Sequence, residues 1–185
     1  ALLSELGRKN YSSEGREKHF QKIAQTSHEV VEAVDQIVWA LNPQNDTLDN
    51  LANYICHFAN NFFQLSTVKC RLDVPPSLPR IAISAEARHN LFLSLKEALN
   101  NVLKHAEADE LWIRLDYSKD VLSISVEDNG RGIDSARQDP TGNGLINMRK
   151  RLEQIGGQFD LQCHPSGGTK IRFTIRLSTH GAGSN

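Results

Sequence analysis

The stretch that decides the fold is residues 97–106, which read EALNNVLKHA. Its apolar residues recur at helical spacing, and Ser84 upstream can serve as an N-cap. The pattern therefore predicts a helix from residue 85 to about residue 105. Glu97 and Asn101 are four residues apart, so both side chains leave the same face of this helix and can reach one ligand together. The competing interpretation is that both are ordinary exposed polar residues.

Segments on either side of this helix alternate between apolar and polar residues, which is typical of strands with one buried face. Two more amphipathic helices are expected, over about 48–66 and over 145–155, with Asp46 as the N-cap of the first. The element order predicts an α+β fold, a two-layer α/β sandwich in which three helices cover a mixed, mostly antiparallel sheet. Residues 46–178 are expected to form this domain and residues 179–185 a disordered tail. The predicted strands cover 68–74, 111–116, 121–127, 159–163 and 170–177.

A different pattern precedes the domain, in residues 1–45. Apolar residues alternate at spacings of three and four along residues 20–41, and this heptad seam predicts one long helix that packs in a bundle. Pro43 ends the helix, because proline lacks a backbone donor and pushes the preceding residue out of the helical region. The segment is expected to be a truncated helical hairpin, mainly its second helix, from a longer protein. The seam consists of Phe20, Ile23, Ser27, Val30, Val34, Ile37 and Leu41.

Composition excludes several classes of function. The chain has 21 Lys and Arg against 22 Asp and Glu, so no global positive field draws it to nucleic acid or to an anionic membrane. No run approaches the roughly 18 apolar residues that a membrane helix needs. The three cysteines stand at unrelated spacings, which predicts neither a disulfide framework nor a metal knuckle. We therefore expect a cytoplasmic location without nucleic-acid or membrane partners.

The segment 128–132, Asp-Asn-Gly-Arg-Gly, directly follows a predicted strand. It places the Asp128 carboxylate at the strand's end, beside glycines that let a ligand approach the backbone. A buried carboxylate at such a position can accept a hydrogen bond from an exocyclic amine. The competing interpretation is an ordinary loop with an Asx turn.

The segment 142–145, Gly-Asn-Gly-Leu, opens the next predicted helix. A glycine-rich entry into a helix presents free N–H groups and a positive dipole end to a phosphate. The competing interpretation is a flexible turn. The sequence contains neither the P-loop motif nor a dinucleotide-binding fingerprint, which excludes both of those enzyme classes.

The order and spacing of these clusters carry more information than any one of them. They run from Glu97, Asn101 and the segment 104–106 through the two glycine-rich segments to Gly167-Gly168-Thr169. This order resembles the N, G1, G2 and G3 boxes of the GHKL ATPase superfamily. More specifically, it resembles two-component sensor histidine kinases of the NarX/DesK-like subgroup. Residues 38–48 also resemble the second dimerisation helix of that subgroup and its exit.

The resemblance implies the Bergerat fold of GHKL ATPases, with ATP and Mg²⁺ as cofactors. Asn101 would ligate the metal, and Glu97 would act on the water or acceptor near the γ-phosphate. Asp128 would bind the adenine amine, Gly130 and Gly132 would shape the adenine pocket, and Thr169 would support the base through water. The phosphates would be held by Gly142, Gly144 and Leu145, with Lys104 and His105 nearby, and residues 133–142 would form the ATP lid.

The resemblance also implies the reaction and its partners. A kinase of this kind phosphorylates a histidine and passes the phosphoryl group to an aspartate of a response-regulator receiver domain, and it works as a homodimer through the helical hairpin. In the subgroup the acceptor lies in a His-Asp pair on the first dimerisation helix, so we expect it upstream of this sequence. The pair His28-Glu29 is the alternative acceptor, against the interpretation that His28 is a solvated residue on a helix face.

Three rival functions remain open within the superfamily. A serine kinase of the anti-sigma type would lack the bundle helix, so the seam argues against it. A mechanochemical ATPase of the heat-shock or mismatch-repair type would carry a longer lid and further domains. A catalytically inactive module that binds nucleotide or dimerises has the same sequence features as an active kinase.

Overall fold

The computed structural model describes residues 13–133, 143–165 and 167–177. It divides the chain into two compact units, Ala1–Leu41 and Asn42–Asn185. The limits that we assign to the hairpin, the catalytic domain and the tail stay predictions.

The first unit is described by one long helix, α1, from Ser13 to Leu41. The predicted helix and its end before Pro43 are confirmed. Its seam is exposed, with exposed fractions of 66% for Phe20, 51% for Val34 and 64% for Leu41. The alternative acceptor His28 lies in α1, and its side chain falls outside the described part of the chain. The helix therefore carries an apolar stripe at its surface.

The second unit begins with a short 3₁₀ helix, Pro43–Asn45, and helix α2, Leu48–Phe63. Our expectation that Asp46 caps α2 is wrong, because Thr47 is the N-cap and its Oγ1 accepts the N–H of Asn50 at 3.3 Å. Thr47 forms a β-bridge with Ala82, which holds its backbone in the extended conformation that an N-cap requires. The carbonyl of Asp46 meanwhile accepts the N–H of Ile83 at 2.8 Å.

Helix α3 spans Ala85–Asn101 and is continued by a π-helical turn, Val102–Ala106. The predicted cap is confirmed, because Ser84 Oγ accepts the N–H of Ala87 at 3.1 Å. The change to π geometry in the last turn was not predicted. Glu107 then takes left-handed backbone with φ of 54°, which ends the helix.

A buried arginine ties the start of α3 to the beginning of the unit. Arg88 is 2% exposed and donates from Nη1 to the carbonyl of Ile83 at 2.7 Å. Its Nη2 donates to the carbonyl of Asn42 at 3.3 Å, and the Asp46 carboxylate lies 3.9 Å from Nη1. Backbone carbonyls and a carboxylate thus replace the water that this charge loses on burial.

Five strands form one sheet in the order β1-β2-β3-β5-β4. Strand β1 pairs with β2 in parallel and all other neighbours are antiparallel, so the predicted mixed, mostly antiparallel sheet is confirmed. Lys119 and Asp120 make the turn between β2 and β3, both with positive φ, as a two-residue hairpin requires. The strands are β1 Lys69–Asp73, β2 Glu110–Ser118, β3 Val121–Asp128, β4 Gln158–Cys163 and β5 Thr169–Arg176.

The core lies between the helices and one face of the sheet. Helix α4, Gly144–Gln154, completes the helical layer. The predicted helix end is confirmed, because Gly156 has φ of 68° and the N–H of Gly157 donates to the carbonyl of Leu152 at 2.8 Å. The fully buried side chains of the core include Leu91, Leu95, Leu99, Ile113, Ile124, Leu152 and Phe173.

Candidate functional site

Asp128 stands at one end of the candidate site, as the last residue of β3. It lies opposite Thr169, the first residue of β5, and both residues are 6% exposed. Its Oδ1 accepts the N–H of Gly130 at 2.9 Å. Burial raises the pKa of this carboxyl above its ordinary value, although N–H groups of Gly130 and Thr169 stabilise the charged form. The site therefore holds a desolvated acceptor at the end of a strand.

Glycines bring three chain segments together around Asp128. A Cβ on Gly130 would overlap the carbonyl oxygen of Ala106, at the end of the π-helical turn. A Cβ on Gly168 would overlap the carbonyl oxygen of Asp128 itself. Gly132 has φ of 75° and lies beside Gly168. The glycines therefore let the backbones of these segments pack closely beside Asp128.

The other end of the site joins Glu97 on α3 to the start of α4. A Cβ on Gly144 would overlap Glu97 Oε1, so the carboxylate lies directly against the first residue of α4. The preceding residue, Asn143, makes no side-chain cap hydrogen bond. Asn143 therefore does not cap the first N–H groups of α4, and a helix start of this kind offers donors and the positive end of the helix dipole to an anion.

Asn101 lies on α3 between these two ends. It follows Glu97 by four residues, and it precedes Ala106, which contacts Gly130, by five. One continuous helical segment therefore runs from the Gly144 contact to the Gly130 contact, with the Asn101 carboxamide along the way. The structure thus brings Glu97 to Gly144, and Gly130, Gly132 and Thr169 to Asp128.

The other predicted site residues lie on the π-helical turn, at the start of α4 and in the predicted lid. Lys104 and His105 lie on the exposed side of the π-helical turn, and the carbonyl of His105 is engaged by the loop after β3. Leu145 is half-buried in the first turn of α4. Gly142 and most of the predicted lid lie outside the described residues.

Three residues near the site were given no role of their own by the sequence analysis. Gly168 lies against the carbonyl of Asp128, and it was identified only as part of the segment Gly167-Gly168-Thr169. Arg131 contacts the π-helical turn, and nothing in the local sequence distinguishes it from a solvated arginine. His164 is exposed in the turn between β4 and β5, and it opposes burial, the main cause of the raised pKa of Asp128, whereas Glu127 adds to that rise.

The donor set fits one kind of metal ion. Across the described residues no three His, Cys, Asp or Glu side chains converge into a metal cage. A single carboxamide oxygen at Asn101, on the helix whose Glu97 lies against the start of α4, fits an ion that keeps several waters and binds through ligand phosphates. Mg²⁺ behaves in this way.

Comparisons with known proteins show the family of the chain. A family model described as "Histidine kinase-, DNA gyrase B-, and HSP90-like ATPase" matches residues 87–179. The signal transduction histidine-protein kinase/phosphatase DegS of Brevibacillus brevis is 32% identical over 89 residues, which cover 48% of this chain and 23% of DegS. The sensor histidine kinase YdfH of Bacillus subtilis is 28% identical over 130 residues, which cover 69% of this chain and 31% of YdfH.

The fold recurs in a solved structure. The histidine kinase domain of the Erythrobacter litoralis EL346 blue-light activated histidine kinase matches with a TM-score of 0.64 at 19% sequence identity, over 95% of this chain and 90% of that one. The chain spans less than a third of the length of the two curated relatives above. No helix in the described part of the chain is long and apolar enough to cross a bilayer.

Proposed function

Because the chain belongs to the family of histidine kinase-, DNA gyrase B- and HSP90-like ATPases, we propose that it is the catalytic region of a two-component histidine kinase. In this proposal it uses ATP to phosphorylate a histidine, from which the phosphoryl group passes to an aspartate of a response-regulator receiver domain. We place the reaction in the cytoplasm, where ATP is available. The finer assignment to the NarX/DesK-like subgroup is part of the same proposal.

One observation carries this proposal. Helix α3 and its π-helical turn contact Gly144 through Glu97 and Gly130 through Ala106, so one continuous helical element joins the two ends of the candidate site. The Asp128 end offers a buried acceptor for an amine, and the α4 end offers donors for phosphate. ATP has those two chemical ends, a base with an exocyclic amine and a chain of phosphates.

Each residue then has a defined task. Asp128 accepts the hydrogen bond of the adenine amine, and Gly130, Gly132 and Thr169 shape the walls around the base. The N–H groups at the start of α4 hold the phosphates, while Asn101 holds Mg²⁺, which when bound neutralises phosphate charge. Phosphoryl transfer depends mostly on positioning and charge neutralisation, so no covalent protein intermediate on this domain is required.

Glu97 is the residue that we assign to proton transfer. Its carboxylate lies against the backbone of Gly144, at the phosphate end of the site. From there it can accept the N–H proton of an incoming imidazole, which makes the other ring nitrogen a better nucleophile. Glu97→Gln should therefore bind Mg²⁺-ATP with affinity close to wild type and lose phosphotransfer by about 10²-fold or more.

Nucleotide binding is tested by calorimetric titration of the chain with Mg²⁺-ATP. Asn101→Ala should abolish measurable binding, because the metal loses its protein ligand. Asn100→Ala is the matched control, since Asn100 is the neighbouring half-buried asparagine on another side of the same helix. An unchanged affinity in Asn101→Ala would favour the inactive-module alternative.

Phosphotransfer is tested with labelled ATP, Mg²⁺ and a fragment that supplies an upstream acceptor helix. The expected product is an acid-labile phosphohistidine on that fragment. Acid-stable phosphoserine would indicate the serine-kinase alternative. Nucleotide binding without any phosphohistidine contradicts the kinase proposal.

We also propose that the seam of α1 forms a homodimer interface in the longer protein. Seven apolar or small residues repeat along the helix, and most of them are exposed here. Val34→Glu should lower the weight-average mass in light scattering. Gln21→Glu is the control, because it adds the same charge on the polar side of α1. Equal masses for the two variants and wild type would count against an interface on this seam.

A further inference from the structure

Arg131 connects the loop after β3 to the end of α3 through hydrogen bonds and an ion pair. The backbone N–H of Arg131 donates to the carbonyl of Ala106 at 2.8 Å. Its Nε donates to the carbonyl of His105 at 2.9 Å. Its Nη1 lies 3.5 Å from Oε1 of Glu107. A single residue thus meets three consecutive residues at the end of the π-helical turn.

The geometry of the helix end explains why these carbonyls are available. The last carbonyls of a helix have no partner within it, and they need donors from elsewhere. Glu107 leaves the helix in left-handed backbone, so the chain turns away and the loop after β3 can reach them. Gly130 allows the approach, because any Cβ there would overlap the carbonyl oxygen of Ala106.

This joint, the contacts of Arg131 with residues 105–107, lies one hydrogen-bonded turn from Asn101 and next to the Asp128 end of the site. Asn101 precedes Ala106 by five residues, the repeat of a π-helical hydrogen bond. Asp128 accepts the N–H of Gly130, the residue next to Arg131. We infer that Arg131 is a positioning residue that fixes the spacing between Asp128 and Asn101, and so sets how well a two-ended ligand fits both.

The inference rests on the proposed function, since it assumes that a nucleotide occupies both ends. A ligand that engages two sites gains affinity only when their spacing matches its own length. Adenosine engages the Asp128 end alone, and its affinity should not depend on the spacing. Mg²⁺-ATP engages both ends, and its affinity should fall when the joint loosens.

The test measures both affinities in the full chain, Mg²⁺-ATP by calorimetry and adenosine by NMR titration. Arg131→Ala should weaken Mg²⁺-ATP binding by about tenfold and leave adenosine binding within about twofold of wild type, as expected for loss of charge-assisted hydrogen bonds. Arg131→Lys keeps a positive charge opposite Glu107 but has no Nε–H, so it should show the same selective loss.

Arg71→Ala is the matched control. Arg71 is 57% exposed against 52% for Arg131, and it likewise pairs with a glutamate, Glu110, at 2.7 Å. It lies on β1 and should leave both affinities unchanged. Melting temperatures of the Arg131 and Arg71 variants should differ by no more than a few degrees, which separates positioning from loss of fold.

The outcomes are distinct. If wild type binds Mg²⁺-ATP and Arg131→Ala binds it equally well, the inference is overturned while the proposed function stands. Equal losses for adenosine and Mg²⁺-ATP also overturn it, because Arg131 would then only support the base pocket. Full recovery in Arg131→Lys would show that charge, and not the joint, matters. Failure of wild type to bind Mg²⁺-ATP would instead overturn the proposed function.

Discussion

Helices α1 and α3 are both amphipathic, yet they use their apolar faces in opposite ways. On α3 the residues Leu91, Leu95 and Leu99 are completely buried against the rest of the catalytic unit. On α1 the residues Val34 and Ile37 keep exposed fractions of 51% and 45%. Helical periodicity thus identifies an apolar face but not what covers it. The apolar face of α3 packs in the core that supports the site, and we propose that a second chain covers the apolar face of α1.

The largest expected loss of stability follows from a substitution on the buried face of α3. Leu95→Ala should lower the free energy of unfolding by about 2–5 kcal/mol, because a fully buried leucine leaves a cavity that its neighbours fill only in part. Urea denaturation followed by circular dichroism measures the loss. A loss below about 1 kcal/mol would mean that this part of the unit collapses around the gap.

A smaller effect is expected at the start of α3. Ser84→Ala should lower the free energy of unfolding by about 1 kcal/mol, since the N–H of Ala87 loses its acceptor. Ser123→Ala, on the half-exposed face of β3, is the control and should stay within about 0.5 kcal/mol of wild type. Equal changes in the two variants would argue against the cap.

At neutral pH the buried Asp128 carboxylate is expected to lower the free energy of unfolding. Because burial raises the pKa of Asp128 in the folded state, its contribution to stability is fully present below the ordinary pKa of 3.8 and is lost as pH rises through the raised value. At pH 7 Asp128→Asn should therefore be slightly more stable than wild type, by less than the Ser84 effect, and should lose nucleotide binding. Urea titrations of both proteins from pH 3.5 to 7 test this, and a less stable variant at pH 7 would contradict it.

The smallest effect is expected on α1. Val34→Ala should change the free energy of unfolding by less than about 0.5 kcal/mol at low protein concentration, because the side chain is already half in water. The urea experiment used for Leu95→Ala measures it. A loss as large as that of Leu95→Ala would mean that the seam is covered within the single chain, and the contrast between the two helices would fail.

Much of the fold could be predicted because its signals are local. Ser84 caps the residues next to it in sequence, and the alternation in β2 and β3 needs no distant partner. The cap of α2 could not be predicted in this way. Asp46 and Thr47 are both good capping residues, and the β-bridge to Ala82, which lies 35 positions along the chain from Thr47, decides between them.

The candidate site likewise has a part that the sequence predicts and a part that only the structure shows. Glu97, Asn101 and Asp128 could be selected because their residue types stand in a particular order along the chain. Their spatial relations depend on contacts between distant segments, such as Gly130 against Ala106 and Arg131 against His105. An exposed arginine in a loop carries no sign of such a contact in its own sequence, so its position had to come from the structure.

The left-handed backbone of Glu107 has a consequence for selection experiments. A residue other than glycine in this conformation is penalised by about 1 kcal/mol, so a library at position 107 sorted for cellular abundance should enrich glycine. The same library sorted for capture on immobilised nucleotide should return residues able to face the Arg131 guanidinium. Different residues selected at position 107 in the two experiments would separate the requirements of folding from those of nucleotide binding.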